Sequence, residues 1–136
     1  MTVGIVIVSH SAQLAAGVAE LAGQMAGATV TIAAAGGMDD GGLGTSLAKT
    51  TQALERAYSP EGTLLLADLG SAVMTAEMAI ERLPPERQAL IRISNAPLVE
   101  GAVIAAVESS IGSTLDVVAA AAEQAARLEK VAGKGA

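Results

Sequence analysis

Short runs of apolar residues alternate along the chain with longer segments in which apolar residues recur every three or four positions. The runs are rich in Val, Ile, Leu and Ala, which is typical of strands buried on both faces of a sheet. Four such runs occur, at residues 3–8, 29–34, 62–66 and 90–94. The segments between them have the period of a helix, so the pattern predicts repeated β-α-β units.

This alternation places the chain in the α/β class. Strands that are joined through helices run parallel and cross over with a right hand. We therefore expect a doubly wound, mainly parallel four-stranded sheet of order 2-1-3-4 with helices on both faces. Residues 1–132 are expected to form one domain, and residues 133–136 are expected to form a flexible tail.

The helical segments also predict which side chains face inward and which residues begin or end a helix. In the first helix, which Gly27 ends, the inward residues are expected to be Leu14, Val18, Leu21 and Met25. The second helix is expected to carry Leu47, Leu54 and Tyr58, and Pro84-Pro85 is expected to end the third. The predicted N-caps are Thr45 or Ser46 for the second helix and Ser113 or Thr114 for the last.

Composition narrows the possible functions. The 136 residues include 14 acidic and 8 basic side chains, no Cys, Trp or Phe, one Tyr and a single His. The lack of Cys excludes disulfides, thiolate metal centres and Cys nucleophiles. A charge of −6 with almost no aromatic residues argues against nucleic acid as a partner. Neither a signal peptide nor a membrane-spanning run is recognisable, which predicts a cytoplasmic protein without a membrane partner.

The candidate chemistry lies directly after the strands, because the carboxyl ends of parallel strands meet at one edge of a sheet, where ligands bind. His10, the only histidine, follows the first strand and precedes a helix N-terminus, which favours an anion beside the imidazole. A surface or capping histidine is the alternative interpretation. Its position and its neighbours Ser9 and Ser11 favour a functional role.

Asp68 follows the third strand, which neighbours the first in the predicted order. A carboxylate that accepts the N–H of one imidazole nitrogen leaves the other nitrogen free to act as a nucleophile. A helix N-cap is an equally good interpretation of Asp68. Ser71 is likewise either a cap or a hydrogen-bond donor to a phosphate.

Other familiar sites are absent from the sequence. The glycine-rich loop at residues 36–44 has neither the Gly-Lys-Ser/Thr of a Walker motif nor a Gly-x-Gly-x-x-Gly pattern. Asp39 and Asp40 have no third ligand nearby, and no Gly-x-Ser-x-Gly elbow occurs. We therefore expect neither a metal nor a cofactor. A nucleophilic His10, an orienting Asp68 and hydroxyl groups at helix starts favour transient phosphohistidine chemistry.

At this point the sequence resembles a known family, the phosphoryl-carrier subunits of phosphoenolpyruvate-dependent dihydroxyacetone kinases, called DhaM. These subunits are related to the mannose-type EIIA domains of the sugar phosphotransferase system. The matching segments are Ile5-Val6-Ile7-Val8-Ser9-His10-Ser11, the loop Gly36 to Ser46, Asp68-Leu69-Gly70-Ser71-Ala72, and Ala96-Pro97-Leu98-Val99-Glu100-Gly101-Ala102. They occupy all four strand-end loops in the right order.

The resemblance implies that His10 accepts a phosphoryl group from phospho-HPr. It further implies that His10 passes this group to ADP held on the subunit DhaL. The ATP that forms is then used to phosphorylate dihydroxyacetone bound to the subunit DhaK. It also implies a phosphotransferase subunit that is a homodimer, with Asp68 orienting His10. The phosphoryl group is expected to be bound by Ser11, Thr45, Ser46, Gly70 and Ser71. The alternatives are a small class II tetrapyrrole chelatase and a non-catalytic interaction module.

Overall fold

Four parallel strands and the helices that connect them account for most of the chain. The computed structural model describes residues 1–133, so the predicted tail lies outside the described residues except for Gly133. The strands are β1 (Gly4–Ser9), β2 (Ile32–Gly36), β3 (Thr63–Ala67) and β4 (Ile91–Ser94). The helices are α1 (Ala12–Ala26), α2 (Leu47–Arg56), α3 (Gly70–Glu81), α4 (Pro85–Gln88), α5 (Leu98–Ser110) and α6 (Leu115–Gln124), followed by a 3-10 turn at Ala125–Arg127.

The sheet has the order β2-β1-β3-β4, and every pair of neighbouring strands is parallel. The predicted fold class and strand order are therefore confirmed. β1 is buried along its whole length because it lies at the centre of the sheet and is covered on both faces. This explains why residues 3–8 are apolar throughout rather than alternating with polar residues.

Two aliphatic cores lie on opposite faces of the sheet. On one face, Ile5 and Ile7 of β1 pack with α1, α5 and α6. On the other face, Val6 and Val8 pack with α2 and α3. Successive side chains of a strand point to opposite faces, so β1 contributes to both cores.

The predicted inward face of α1 was wrong in three of its four residues. Only Val18 is buried, together with the small residues Ala15 and Ala22. Leu14, Leu21 and Met25 are exposed. The same preference for small residues recurs in α3 and α5, whose buried residues are almost all Ala or Gly. Small side chains let each helix approach the sheet and its neighbours closely.

Three further expectations need correction. β2 begins at Ile32 rather than at residue 29 and continues to Gly36. Tyr58 lies beyond the end of α2 and is exposed, with the guanidinium of Arg87 4.4 Å from the centre of its ring. The Pro84-Pro85 pair follows the end of α3 and also starts α4, with Pro85 as its first residue, a position that needs no N–H donor. Of the alternative N-caps, Ser46 and Thr114 are the ones used.

The register of β1 and β3 positions the candidate site. Val8 is paired with Ala67, and the N–H of Asp68 donates to the carbonyl of Val8 at 3.2 Å. One residue further along, Ser9 and His10 therefore lie beside Asp68. Within residues 1–133, none of the helices has the length and apolar character needed to cross a bilayer.

We predict that reciprocal substitutions in α1 will distinguish its two faces. Ala22→Leu should lower the free energy of unfolding by about 1–3 kcal/mol, because the added carbons must enter a filled core. Leu21→Ala should cost less than about 1 kcal/mol, since Leu21 is 47% exposed. Both residues favour helices, so helix propensity does not separate the variants. Urea unfolding measures the difference, and a larger loss for Leu21→Ala would contradict the observed packing.

Candidate active site

His10 and Asp68 form the centre of the site at the carboxyl edge of β1 and β3. The imidazole Nδ1 lies 2.9 Å from Asp68 Oδ1. The His10 side chain is 25% exposed and that of Asp68 14% exposed. The ring is thus accessible from solvent, while the carboxylate behind it is more protected.

Four hydrogen bonds hold the Asp68 carboxylate in place. Oδ1 accepts from His10 Nδ1 and from the backbone N–H of Leu69, at 2.9 and 2.7 Å. Oδ2 accepts from the backbone N–H of His10 and from the hydroxyl of Ser9, at 2.9 and 2.8 Å. Partial burial by itself raises the pKa of Asp68, but the hydrogen bonds from His10, Ser9 and Leu69 together lower the pKa by more, so the net pKa lies below the ordinary value. Asp68 is therefore a carboxylate at neutral pH.

This carboxylate determines the tautomer of His10. An ionised carboxylate can only accept hydrogen bonds, so we assign the proton of the neutral ring to Nδ1. Nε2 then carries a lone pair, and the hydroxyl of Ser71 is hydrogen-bonded to it. The nitrogen with the lone pair is the one that faces away from the carboxylate.

The N-terminus of α3 lies beside Nε2. Gly70 and Ser71 are the first two residues of α3, and N–H groups of the first turn have no acceptor within the helix. The N-cap is Leu69, which makes no side-chain capping bond, so neither Asp68 nor Ser71 is the cap of this helix. The helix start therefore offers donors and a positive dipole end to an anion next to Nε2.

The glycine-rich loop after β2 closes the site on the other side of His10. The N–H of Gly44 donates to the carbonyl of His10 at 2.8 Å. Gly44 has φ +142°, and a Cβ at this position would lie 2.6 Å from Cγ of Met38. A side chain at residue 44 would thus be strained and would collide with Met38, which accounts for glycine where the loop touches His10.

Polar side chains anchor this loop from within. Lys49 Nζ donates to the carbonyls of Gly36 and Met38, at 3.2 and 3.0 Å. Asp39 accepts from the hydroxyl of Ser46, and Asp40 accepts from the N–H of Gly42 at 2.8 Å. Both carboxylates of the Asp39-Asp40 pair thus stabilise the conformation of the loop. Residues 1–133 contain no cluster of three or more His, Asp or Glu side chains suited to a metal ion.

The structure brings only part of the expected phosphoryl-binding set to the imidazole. Ser71 and Gly70 are there, and Thr45 is nearby through a 2.7 Å hydrogen bond to Thr75, whose hydroxyl also donates to the carbonyl of Ser71. The hydroxyl of Ser11 caps α1 by accepting from the N–H of Leu14, and the N–H of Ser11 donates to the hydroxyl of Ser9.

The hydroxyl of Ser46 is also occupied. It caps α2 by accepting from the N–H of Lys49, and it donates to Asp39. A hydroxyl at a helix start can either cap the helix or face a ligand. The hydroxyls of Ser11 and Ser46 cap their helices, and the expected binding of the phosphoryl group by these two residues stays a prediction.

The sequence interpretation missed three residues that support the site: Ser9, Lys49 and Thr75. Ser9 was noted only as a neighbour of His10, although the parallel register of β1 and β3 places it opposite Asp68. Lys49 belongs to no recognised phosphate-binding motif, so its contacts with the glycine-rich loop were not expected. Thr75 lies one turn after Ser71 in α3, and that spacing was the available signal.

The fourth strand-end loop, predicted at residues 95–100, borders the site from the side of β4. A cleft of about 370 Å³ separates this loop from residues 67–70 and is lined by Asp68, Leu69, Asn95 and Pro97 among others. Within the loop, the N–H of Ala96 donates to the hydroxyl of Ser94 at 3.0 Å. The four strand-end loops therefore converge on one edge of the sheet, with Asp68 at the border of this cleft.

Comparison with known proteins assigns the chain, including the strand-end loops of this site, to a family. The family model described as EIIA-man, PTS system fructose IIA component, matches residues 4–119. The chain belongs to this family. The match includes His10, the glycine-rich loop, Asp68 and Ser71.

Individual relatives agree with the EIIA-man assignment. The chain is 43% identical over 119 residues to the phosphoryl donor subunit DhaM of the PEP-dependent dihydroxyacetone kinase of Escherichia coli, covering 85% of this chain but 25% of that protein. It thus spans about a quarter of the length of that relative. A DhaM subunit of Listeria innocua is 37% identical, with 85% of this chain and 93% of that protein covered.

A solved structure supports the same assignment at the level of the fold. The crystal structure of a protein of unknown function superposes with a TM-score of 0.82 at 36% identity. The superposition covers 91% of this chain and 95% of that chain.

We predict that Asp68 makes the stability of the protein depend on pH. Its folded-state pKa is below the ordinary value of 3.8, so its stabilising contribution is complete above that value and is lost as the pH falls through the folded-state pKa. Asp68→Asn should remove this part of the acid-induced loss of stability. Urea unfolding between neutral and acidic pH measures it.

Glu123→Gln is the matched control, because it removes one carboxylate from the exposed side of α6. Its acid-induced loss of stability should stay close to that of the unsubstituted protein. Equal pH dependence in the two variants would mean that the hydrogen bonds of Asp68 do not favour its ionised form.

Proposed function

We propose that this protein is a phosphohistidine carrier, the phosphoryl donor subunit of a phosphoenolpyruvate-dependent dihydroxyacetone kinase. The observation that carries the proposal is the unequal environment of the two His10 nitrogens. Nδ1 is bound by a carboxylate, and Nε2 faces a helix N-terminus at an exposed edge. The names of the DhaM relatives support the same role.

In the first proposed step, phospho-HPr is the donor and the Nε2 lone pair of His10 attacks the phosphorus. A new N–P bond forms as the donor's N–P bond breaks, and the donor nitrogen keeps the electron pair. No proton has to leave Nε2, because the proton of the ring is on Nδ1. The ring of phosphorylated His10 then carries a positive charge, which the Asp68 carboxylate stabilises.

The phosphoryl oxygens need donors around Nε2. The hydroxyl of Ser71 and the N–H groups of Gly70 and Ser71 can supply them, and the dipole of α3 adds a favourable field. Thr45 lies next to this group through Thr75. We assign phosphoryl binding to these residues.

In the second proposed step, an oxygen of the terminal phosphate of ADP attacks the phosphorus of phosphorylated His10. The N–P bond breaks, the electron pair returns to Nε2, and ATP forms. The resemblance implies that this ADP is held on the subunit DhaL and that the ATP serves dihydroxyacetone bound to DhaK. Transfer in line between two nucleophiles depends mainly on positioning and charge stabilisation, which the site can provide without a cofactor of its own.

A carrier must bind two partners in turn, and exposed apolar side chains around the site can supply the contact surface for both. We define the apolar collar as Met38, Leu43, Leu69 and Met74, all exposed and carried by the segments that border His10. Leu43 is the most exposed of them, at 79%. With a net charge of −6, the protein favours encounter with a basic partner such as HPr.

Three further expectations complete the proposal. Residues 1–132 act as one EIIA-like domain, the protein forms a homodimer, and it works in the cytoplasm. A chelatase or a non-catalytic module is not proposed, since no observation on the described residues favours either.

Phosphorylation through the carrier chain tests the proposal directly. We predict that incubation with phosphoenolpyruvate, enzyme I and HPr adds one acid-labile phosphate per chain, because His10 is the only histidine. His10→Ala should remove the label completely. Mass spectrometry and loss of the label in acid measure the result. Label that persists in His10→Ala, or label formed without HPr, would contradict the assignment.

A second prediction concerns the apolar collar. Leu43→Ser and Met74→Ser should raise the phospho-HPr concentration needed for half-maximal phosphorylation about 5- to 10-fold, because exposed apolar side chains lose partner contacts. The maximal rate should change much less, since the hydrogen bonds of the imidazole are made by Asp68 and Ser71. Leu21→Ser and Met25→Ser, at exposed positions of α1, are controls with similar chemistry. Equal effects from the collar and α1 variants would argue against docking at the collar.

A further inference from the structure

Ser9 is a fully buried hydroxyl residue directly behind the candidate active site. It is the last residue of β1, and its side chain has no solvent exposure. Its Oγ lies 2.8 Å from Asp68 Oδ2 and 3.0 Å from the backbone nitrogen of Ser11. The hydroxyl thus connects the carboxylate to the start of α1.

The direction of both hydrogen bonds follows from the chemistry of the partners. A backbone N–H can only donate, so Ser11 donates to Ser9 Oγ. An ionised carboxylate can only accept, so the hydroxyl proton of Ser9 points to Asp68 Oδ2. The hydroxyl therefore has one orientation that satisfies both neighbours.

This orientation also limits the rotation of the carboxylate. Oδ2 is held by Ser9 and by the backbone N–H of His10, which leaves Oδ1 facing Nδ1 of the ring. If the Ser9 hydroxyl is removed, Oδ2 keeps only one of its two bonds and the N–H of Ser11 loses its acceptor. The burial of Ser9 restricts the access of water that would replace the hydroxyl.

We infer that Ser9 is a positioning residue that acts through Asp68 to keep the proton of His10 on Nδ1 and the lone pair on Nε2. The hydroxyl of Ser9 is hydrogen-bonded to Asp68 and Ser11, whereas the hydrogen bonds of the imidazole are made by Asp68 and Ser71. The consequence for transfer rests on the proposed function, but the consequence for the ring proton does not.

Ser109 provides a matched control for a purely structural role. It is also a fully buried serine whose hydroxyl donates one hydrogen bond, here to the carbonyl of Val3 at 2.6 Å. Val3 directly precedes β1, so this bond lies at the opposite end of the strand from His10. Ser109→Ala and Ser9→Ala therefore remove the same group from equally buried positions, and only Ser9 contacts the carboxylate.

Nitrogen NMR of the untagged full-length protein tests the inference without any partner. The only histidine gives one pair of ring nitrogen signals, which report the fraction of neutral rings protonated on Nε2. Ser9→Ala should raise this fraction at least about twofold, because the bond that selects the tautomer is weakened. Ser109→Ala should leave it unchanged. Equal fractions in all three proteins would overturn the inference.

The rate of phosphorylation by phospho-HPr is the second measurement. Ser9→Ala should slow it about 10-fold, since a loosened carboxylate no longer holds the ring in the productive geometry. Ser9→Thr keeps the hydroxyl and should retain most of the rate. Ser9→Val, which has the same shape as threonine, should be slow. Similar rates for Ser9→Thr and Ser9→Val would show that only packing matters, which would overturn the inference.

The two proposals fail in different ways. If the unsubstituted protein takes no phosphate while Ser9→Ala changes the ring tautomer, the proposed function is wrong and the role of Ser9 stands. If the protein is phosphorylated and Ser9→Ala behaves like Ser109→Ala in both measurements, the proposed function stands and the role of Ser9 is wrong.

Discussion

The parallel register between β1 and β3 is the constraint on which the site depends. It brings the end of one strand, Ser9 and His10, to the end of the other, Asp68. The carboxylate can then accept from two backbone N–H groups, a hydroxyl and the imidazole. A shift of the register by one residue would separate the imidazole from the carboxylate and reverse the faces to which the side chains of β1 point. The two aliphatic cores therefore fix the register and, with it, the site.

The near absence of aromatic residues shapes both the core and the surface. Helices that pack through alanine and glycine lie close to the sheet, and their larger apolar residues are left outside. In α1 this leaves Leu14 and Leu21 exposed. In the segment that begins α3, Leu69 and Met74 are exposed in the same way. A surface of this kind suits repeated, reversible contact with partners, because apolar area is available without a deep pocket.

The sequence was sufficient for the strand order and for the meeting of His10 with Asp68, since both follow from the alternation of strands and helices. The buried faces of the helices were harder to predict. α1 has apolar residues on several sides, and periodicity alone does not show whether alanine or leucine side chains face the core. Ser11 and Ser46 were expected at the phosphoryl group, and in the structure their hydroxyls cap helices. A hydroxyl at a helix start fits either role, and only three-dimensional contacts decide. Ser9, Lys49 and Thr75 were missed because their contacts cross between elements distant in sequence.

The distribution of charge around His10 favours a phosphoryl group that is bound only transiently and then transferred. The ammonium group of Lys49 donates to the backbone carbonyls of Gly36 and Met38 and so is engaged in holding the loop. In the proposed reaction, the phosphoryl oxygens therefore meet mainly neutral donors at the start of α3. Neutral hydrogen bonds stabilise an anion less than a lysine or arginine side chain does. Because a tightly bound phosphoryl group would be transferred poorly, moderate stabilisation favours a carrier, and a basic residue of the partner can supply further stabilisation during transfer.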